Sequence, residues 1–160
     1  MPILLKFRKL YPTAMLPKNW SEFAAGLDLH AYLLSENNRP NTLLLPARTT
    51  RNVETGIAIE VPPGHFGAVC SRSGWAKHSV FVANAPGIID PDYRGEIKVL
   101  LYNGGIENQY IKHGDRIAQL VIIPFSLTRV IETTKLSETD RGTAGFGSTG
   151  LNQDGTDKAK

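Results

Sequence analysis

An all-β fold is the prediction, and three observations carry it. Apolar residues come in short runs with a period near two, as on half-buried strands. Fifteen glycines and ten prolines are spread along the 160 residues and cut those runs into pieces. No segment sustains a 3.6-residue apolar stripe over ten or more residues. Many short strands joined by frequent turns point to a sandwich, jelly roll or barrel, with at most one short helix.

In order, residues 3–7 read as a first strand, and residues 11–21, with two prolines, as irregular. Residues 24–32 alternate, with Leu27 and Leu29 on one face and Asp28 on the other. Residues 36–41 form a polar loop tip. Strands follow at 42–45 and at 57–61, the latter closed by Pro62, Pro63 and Gly64, and then at 65–70. Residues 71–77 break the alternation and can make one helical turn. Residues 80–82 lead into the stretch 84–96, read as a hairpin: two extended pieces about a tight turn, with Pro86-Gly87 and Pro91-Asp92 as turn signals. Asp90 precedes Pro91, which favours extended backbone and sets its carboxylate at a strand end. Residues 96–102 are strand, 103–105 a turn, 116–123 the longest apolar run, stopped by Pro124, and 128–133 a last strand.

One domain is expected at this length. Residues 1–136 are assigned to it, 137–150 to a glycine-rich arm, and 151–160 to a disordered tail. Composition changes after Lys135: from 137 on, Phe146 and Leu151 are the only large apolar side chains. Such a segment cannot bury enough surface to order itself, so a flexible arm is expected.

The formal charge is +3 and the basic residues are scattered. This argues against nucleic acid as the partner and suits an anionic ligand. A single cysteine, Cys70, excludes an internal disulfide and a zinc framework. The first residues are too short and too soon charged for a secretory signal, and no apolar run reaches membrane-spanning length. A cytoplasmic protein is expected, or a nuclear one in a host with a nucleus.

Several polar groups invite a chemical reading, each beside a plain one. Asp90, Tyr93, Arg94 and Asn84 concentrate a carboxylate, a ring, a cation and an amide in one short stretch, which could equally be a surface hairpin. Arg72, Ser73 and Gly74 offer a cation, a hydroxyl and a free amide, a reasonable phosphate nest or a structural turn. Gln119 and Asp28 sit within apolar strands, either facing a pocket or satisfied in the sheet. His30, His65, His78 and His113 share no metal-binding spacing and are read as surface or structural. Residues 145–150 satisfy Gly-x-Gly-x-x-Gly, but the dinucleotide fingerprint needs a preceding strand and a following helix with an acid, for which there is no room. A lone Phe146 among glycines, near Arg141 and Ser148, instead suits a lid over an aromatic, phosphorylated ligand.

The order of these groups matters. Ala25-Gly26-Leu27-Asp28-Leu29, Arg72-Ser73-Gly74, Gly87-Ile88-Ile89-Asp90-Pro91-Asp92-Tyr93-Arg94-Gly95, Gly114-Asp115-Arg116-Ile117-Ala118-Gln119-Leu120, and Arg141-Gly142 with residues 145–150 closely resemble the five motifs of the trimeric dUTP pyrophosphatases. The resemblance implies a jelly-roll or distorted β-barrel homotrimer that hydrolyses dUTP to dUMP and pyrophosphate with Mg2+, in sites shared between subunits. It implies Asp90 as the carboxylate that activates water and Tyr93 as the ring beneath the deoxyribose. Asn84 and the main chain about Gly87 and Ile89 would read uracil. Arg72, Ser73, Gly74 and Gln119 would meet phosphate, and Asp28 would reach the metal through water. Arg141, Phe146, Gly147 and Ser148 would close over the site. Three departures stand out: Ser71 where the family usually has Pro, Trp75 for a common Leu, and a longer loop at 34–42. Two other readings remain. One is a dCTP deaminase of the same fold, against which Tyr93, Gly74 and Phe146 speak. The other is a dUTP-switched regulatory binding protein, for which the 34–42 loop or the 151–160 tail could be the docking point.

Overall fold

The computed structural model describes residues 3–33 and 41–145. Contacts divide the chain into two units, Met1–Leu127 and Thr128–Lys160. Among the described residues the first holds ten strands and one helical turn: β1 (Lys6–Lys9), β2 (Gly26–His30), β3 (Thr42–Leu45), β4 (Thr50–Glu60), β5 (His65–Cys70), α1 (Ser73–Ala76), β6 (Val80–Val82), β7 (Gly87–Ile89), β8 (Glu96–Asn103), β9 (Gln109–Lys112) and β10 (Arg116–Pro124). They form two four-stranded antiparallel sheets, ordered β1-β4-β8-β6 and β2-β10-β5-β7, with a β3-β9 ribbon. The all-β expectation holds, as does the single short helix.

One buried cluster joins the three sheets. Strand β8 shows why: Ile97, Val99 and Leu101 point inward and are almost fully covered, while Lys98 and Leu100 face out. Alternation of this kind turns one face of each strand to a shared core. Ile57 and Ile59 of β4 join that core from the same sheet, Leu29, Val69, Ile117 and Leu120 from the other, and Leu45 and Ile111 from the ribbon.

Asn103 ends β8 with no exposed surface. Its Nδ2 donates to the carbonyls of Leu45, at 3.1 Å, and Glu107, at 2.8 Å, and its Oδ1 accepts from Gly105 N–H at 3.0 Å. The side chain thus ties β8 to the ribbon and closes the turn that sequence marks at 103–105. Truncation would leave the buried Leu45 carbonyl and two half-buried backbone groups without their partner. Asn103→Ala is expected to cost about 3 kcal/mol of stability, read as a lower midpoint in urea unfolding with an unchanged slope.

Several sequence expectations are corrected. Residues 84–96 are not a paired hairpin: β7 pairs with β5 and β8 with β4 and β6, so the chain crosses from one sheet to the other between them. Local turn chemistry is the same in both cases, and only the choice of partner strand differs. Ile88 of β7 is half exposed. Residues 128–133 form no strand; Val130 and Ile131 are exposed and find no ladder partner among the described residues. Alternation proposes a strand, but a neighbouring edge makes one. Strand β9 was missed because Gln109-Tyr110-Ile111-Lys112 is short and mostly polar, and only its register with β3 defines it. Strand β4 starts at Thr50 rather than at residue 57, because its polar first half pairs with β8 up to a bulge around Gly56. The first strand is Lys6–Lys9, shifted from 3–7 by its register with β4.

Candidate active site

Strand β5 organises the candidate residues, because it is hydrogen-bonded on both edges. On one edge Gly67 pairs with Ile89 of β7, so Asp90 follows immediately, near the start of β5. On the other edge Cys70, at the end of β5, pairs with Gln119 of β10, which in turn pairs with Asp28 of β2. Arg72, Ser73 and Gly74 continue from that end into α1.

Two clefts result. The first, about 260 Å³, is lined by Ile88, Ile89, Asp90, Tyr93, Glu96 and Lys98. Here the turn braces itself. Tyr93 N–H donates to the Asp90 carbonyl at 3.1 Å, and Tyr93 Oη donates to the Glu96 carbonyl at 3.0 Å. Arg94 Nη1 donates to the carbonyls of Pro91 and Tyr93, at 2.6 and 2.9 Å. The Tyr93 ring lies against Gly95, where a Cβ would overlap it. Upstream, the Ala85–Pro86 peptide is cis and the Asn84 amide packs against Gly87. Glu96 was not singled out by sequence. Its carboxylate accepts Gly56 N–H at 2.8 Å and approaches Lys98 Nζ at 3.5 Å. Lys98 also meets Glu54 at 3.1 Å, and that hydrogen bond, with the charge behind it, holds its ammonium above the usual range.

The second cleft, about 390 Å³, is lined by residues that include Trp20, Asp28, Arg72, Ser73, Arg116 and Gln119. Asp28 is buried and carries two ion pairs: Arg72 Nε to Oδ1 at 2.8 Å, and Arg116 Nη1 to Oδ2 at 3.3 Å. Arg72 Nη1 also donates to the Arg116 carbonyl at 3.0 Å. Among the described residues Arg72 Nη2 makes no hydrogen bond, which leaves its donors for a ligand. Gln119 Nε2 donates to the Ser71 carbonyl at 3.0 Å, fixing the amide at the cleft wall. Beside Asp28, burial holds the His30 imidazole below its ordinary range; Asp28 opposes the shift, and Arg116, Arg72 and Lys18 reinforce it. His30 Nδ1 has no partner among the described residues.

Two of the three departures from the motif pattern have a place here. The Ser71 hydroxyl accepts Val82 N–H at 2.9 Å, joining the end of β5 to β6 in the opposite sheet. Trp75 Nε1 donates to the Arg116 carbonyl at 2.9 Å, a bond no leucine could make. Sequence reading missed Trp20, and named Arg116 only as part of a motif. Trp20 lies in a stretch without periodicity, and its signal was only an isolated aromatic between charged residues.

The structure therefore groups Asp28, Arg72, Ser73 and Gln119, and separately Ile89, Asp90 and Tyr93. Measured along β5 and its continuation, the six residue steps from Phe66 to Arg72 put Arg72 roughly 20 Å from the Asp90 end. Gly74 lines a further cleft with Arg72, Trp75, His78 and Gln109. Arg141 is exposed, with Nε donating to the Ala144 carbonyl at 2.9 Å. Phe146, Gly147 and Ser148, and residues 34–40 of the longer loop, lie outside the described residues. Also among the described residues, no three acidic, histidine or cysteine side chains cluster as a metal site, and no helix is long and apolar enough to cross a membrane.

The profile of the dUTPase family matches residues 13–150. The deoxyuridine 5'-triphosphate nucleotidohydrolase of Anaeromyxobacter sp. is 46% identical over 154 residues, covering 94% of this chain and 99% of that one. Its counterpart in Escherichia phage T5 is 40% identical, covering 92% and 99%. Among solved structures, a dUTPase of Staphylococcus bacteriophage 80alpha with dUpNHpp superposes with a TM-score of 0.80 at 23% identity, over 92% of this chain and 99% of that one. That similarity speaks to the jelly-roll fold, and the matches do not favour a dCTP deaminase. On the profile and the relatives together, the chain belongs to the dUTPase family.

Proposed function

We propose that this chain hydrolyses dUTP to dUMP and pyrophosphate, with Asp90 as general base, in a site completed between copies of a homotrimer. The observation that carries the shared site is the division of the motif residues between the two ends of β5. With the two groups at opposite ends of one strand, the cleft of one copy beside the opposite cleft of another would supply base and phosphate contacts together.

Asp90 takes a proton from water, the water oxygen attacks the α-phosphorus in line, and the bond to the bridging oxygen breaks, releasing pyrophosphate. Catalysis of this kind is mostly positioning and charge stabilisation. Tyr93, held by its bond to the Glu96 carbonyl, presents a ring to the sugar and leaves no room for a 2′-hydroxyl. Asn84 and the backbone about Gly87 and Ile89 read the uracil edge. Arg72, Ser73, Gly74 and Gln119 bind phosphate, and Arg141, Phe146, Gly147 and Ser148 close over it. Asp28 lines the second cleft with both oxygens already paired to Arg72 and Arg116, so it offers Mg2+ no direct ligand; Mg2+ keeps most of its waters and takes substrate phosphates as ligands. Asp28 would hold it through water, and the bound ion would neutralise charge on the triphosphate.

The test combines oligomer mass in solution with pyrophosphate release from dUTP, dCTP and UTP. A trimer selective for dUTP is expected. A monomer, or equal cleavage of UTP, overturns the reading. Tyr93 offers a finer check. Gly95→Ala puts a methyl where the ring lies and so displaces it. The preference for dUTP over UTP in kcat/KM is expected to fall about tenfold or more. An unchanged ratio would remove Tyr93 from sugar selection.

A further inference from the structure

Trp20 lies at the rim of the cleft that holds Asp28 and Arg72, and 59% of its surface is exposed. Two cations stand over its ring: Lys18 Nζ at 4.1 Å and Arg116 Cζ at 4.7 Å from the centroid. The segment is anchored to the site itself, since the Lys18 carbonyl accepts Asp28 N–H at 3.1 Å. We infer that Trp20 is a positioning residue for phosphate binding, acting through Arg116 on Asp28 and Arg72. The inference rests on assigning this cleft to the phosphate end of the substrate.

The reasoning concerns how Asp28 divides its two oxygens. Arg72 takes Oδ1 and Arg116 takes Oδ2. The Arg116 side chain is 41% exposed and its bond, at 3.3 Å, is the longer of the two, so water competes for it. An indole face is the strongest aromatic partner for a guanidinium and holds it against that competition. If Arg116 left, Oδ2 would be free to draw a second nitrogen of Arg72 into a two-pronged pair, the arrangement a guanidinium and a carboxylate favour. Arg72 would then turn Nη2 toward Asp28 and away from phosphate. Trp20 thus keeps Asp28 doubly engaged and Arg72 only singly.

Calorimetric titration with pyrophosphate and, separately, with dUMP, both in Mg2+, tests this. Trp20→Ala is expected to weaken pyrophosphate binding about three- to tenfold and leave dUMP within about twofold. Trp20→Phe, which keeps a ring face, recovers most of the loss. Should Trp20→Ala fail to fold, Trp20→Leu, with apolar bulk and no π face, carries the same expectation. Pyrophosphate affinity unchanged in the Ala or Leu variant, equal weakening toward both ligands, or a Phe variant as weak as Ala overturns the inference. Release of pyrophosphate from dUTP by the parent chain is scored separately, so failure of the enzymatic reading remains distinct from failure of this one.

Discussion

Replacing Asp90 with asparagine is expected to lower turnover of dUTP by about 10²–10⁴, the range for losing a positioned general base, while the affinity for a non-hydrolysable dUTP analogue changes little. Asparagine has the same shape and can still orient a water, but it cannot take a proton at neutral pH. The scaffold should not move. Asp90 follows directly on β7, and the turn beyond it is held by Tyr93 N–H, Tyr93 Oη and Arg94 Nη1, none of which uses the Asp90 side chain. Single-turnover measurement of pyrophosphate release, with analogue binding measured in parallel, separates chemistry from binding. Near-normal turnover would remove Asp90 from the mechanism and with it the proposed division of labour between the two clefts. A large loss of binding instead would make Asp90 a contact for the substrate.

A chain ending at Asp140 is the second large effect. It keeps the whole of the first unit, including every strand and the buried cluster. It loses Arg141, Phe146, Gly147 and Ser148, the residues proposed to close over the triphosphate. Closing segments exclude water and complete the set of charge-stabilising contacts, and removing one such contact commonly costs about 10²–10³ in rate. The truncated chain is expected to melt within a few degrees of the parent, to keep its oligomer mass, and to lose about 10²-fold or more in kcat/KM for dUTP. Equal activity would show the last twenty residues to be dispensable for catalysis. A lower melting temperature would give them a structural role.

Much of the site was legible in the sequence because its signals are local. Asp90 before Pro91, Arg72-Ser73-Gly74 after an apolar strand, and Gln119 among apolar neighbours are patterns of a few residues. The structure places Asp90 on one cleft and Arg72, Ser73 and Gln119 on the other. What escaped was set by partners distant in sequence. Asn103 read as a turn former, yet its amide joins β8 to the ribbon across 58 positions. Trp20 and Arg116 meet across almost a hundred residues, and no period or motif links them. Strand β9 exists because β3 runs beside it.

The sequence by itself determined the all-β class, the single helical turn, the positions of most strands and the residue types of the dUTPase motifs. These follow from alternation, turn chemistry and short-range order, which act within a few residues. Tertiary structure decided that β7 and β8 part into different sheets, that Asp90 and Arg72 stand at opposite ends of β5, and that Arg72 and Arg116 share the two oxygens of Asp28. The reason is that strand pairing and charge pairing are choices among partners far apart in the chain. Many partners satisfy the local rules equally, and burial of a single common core selects among them.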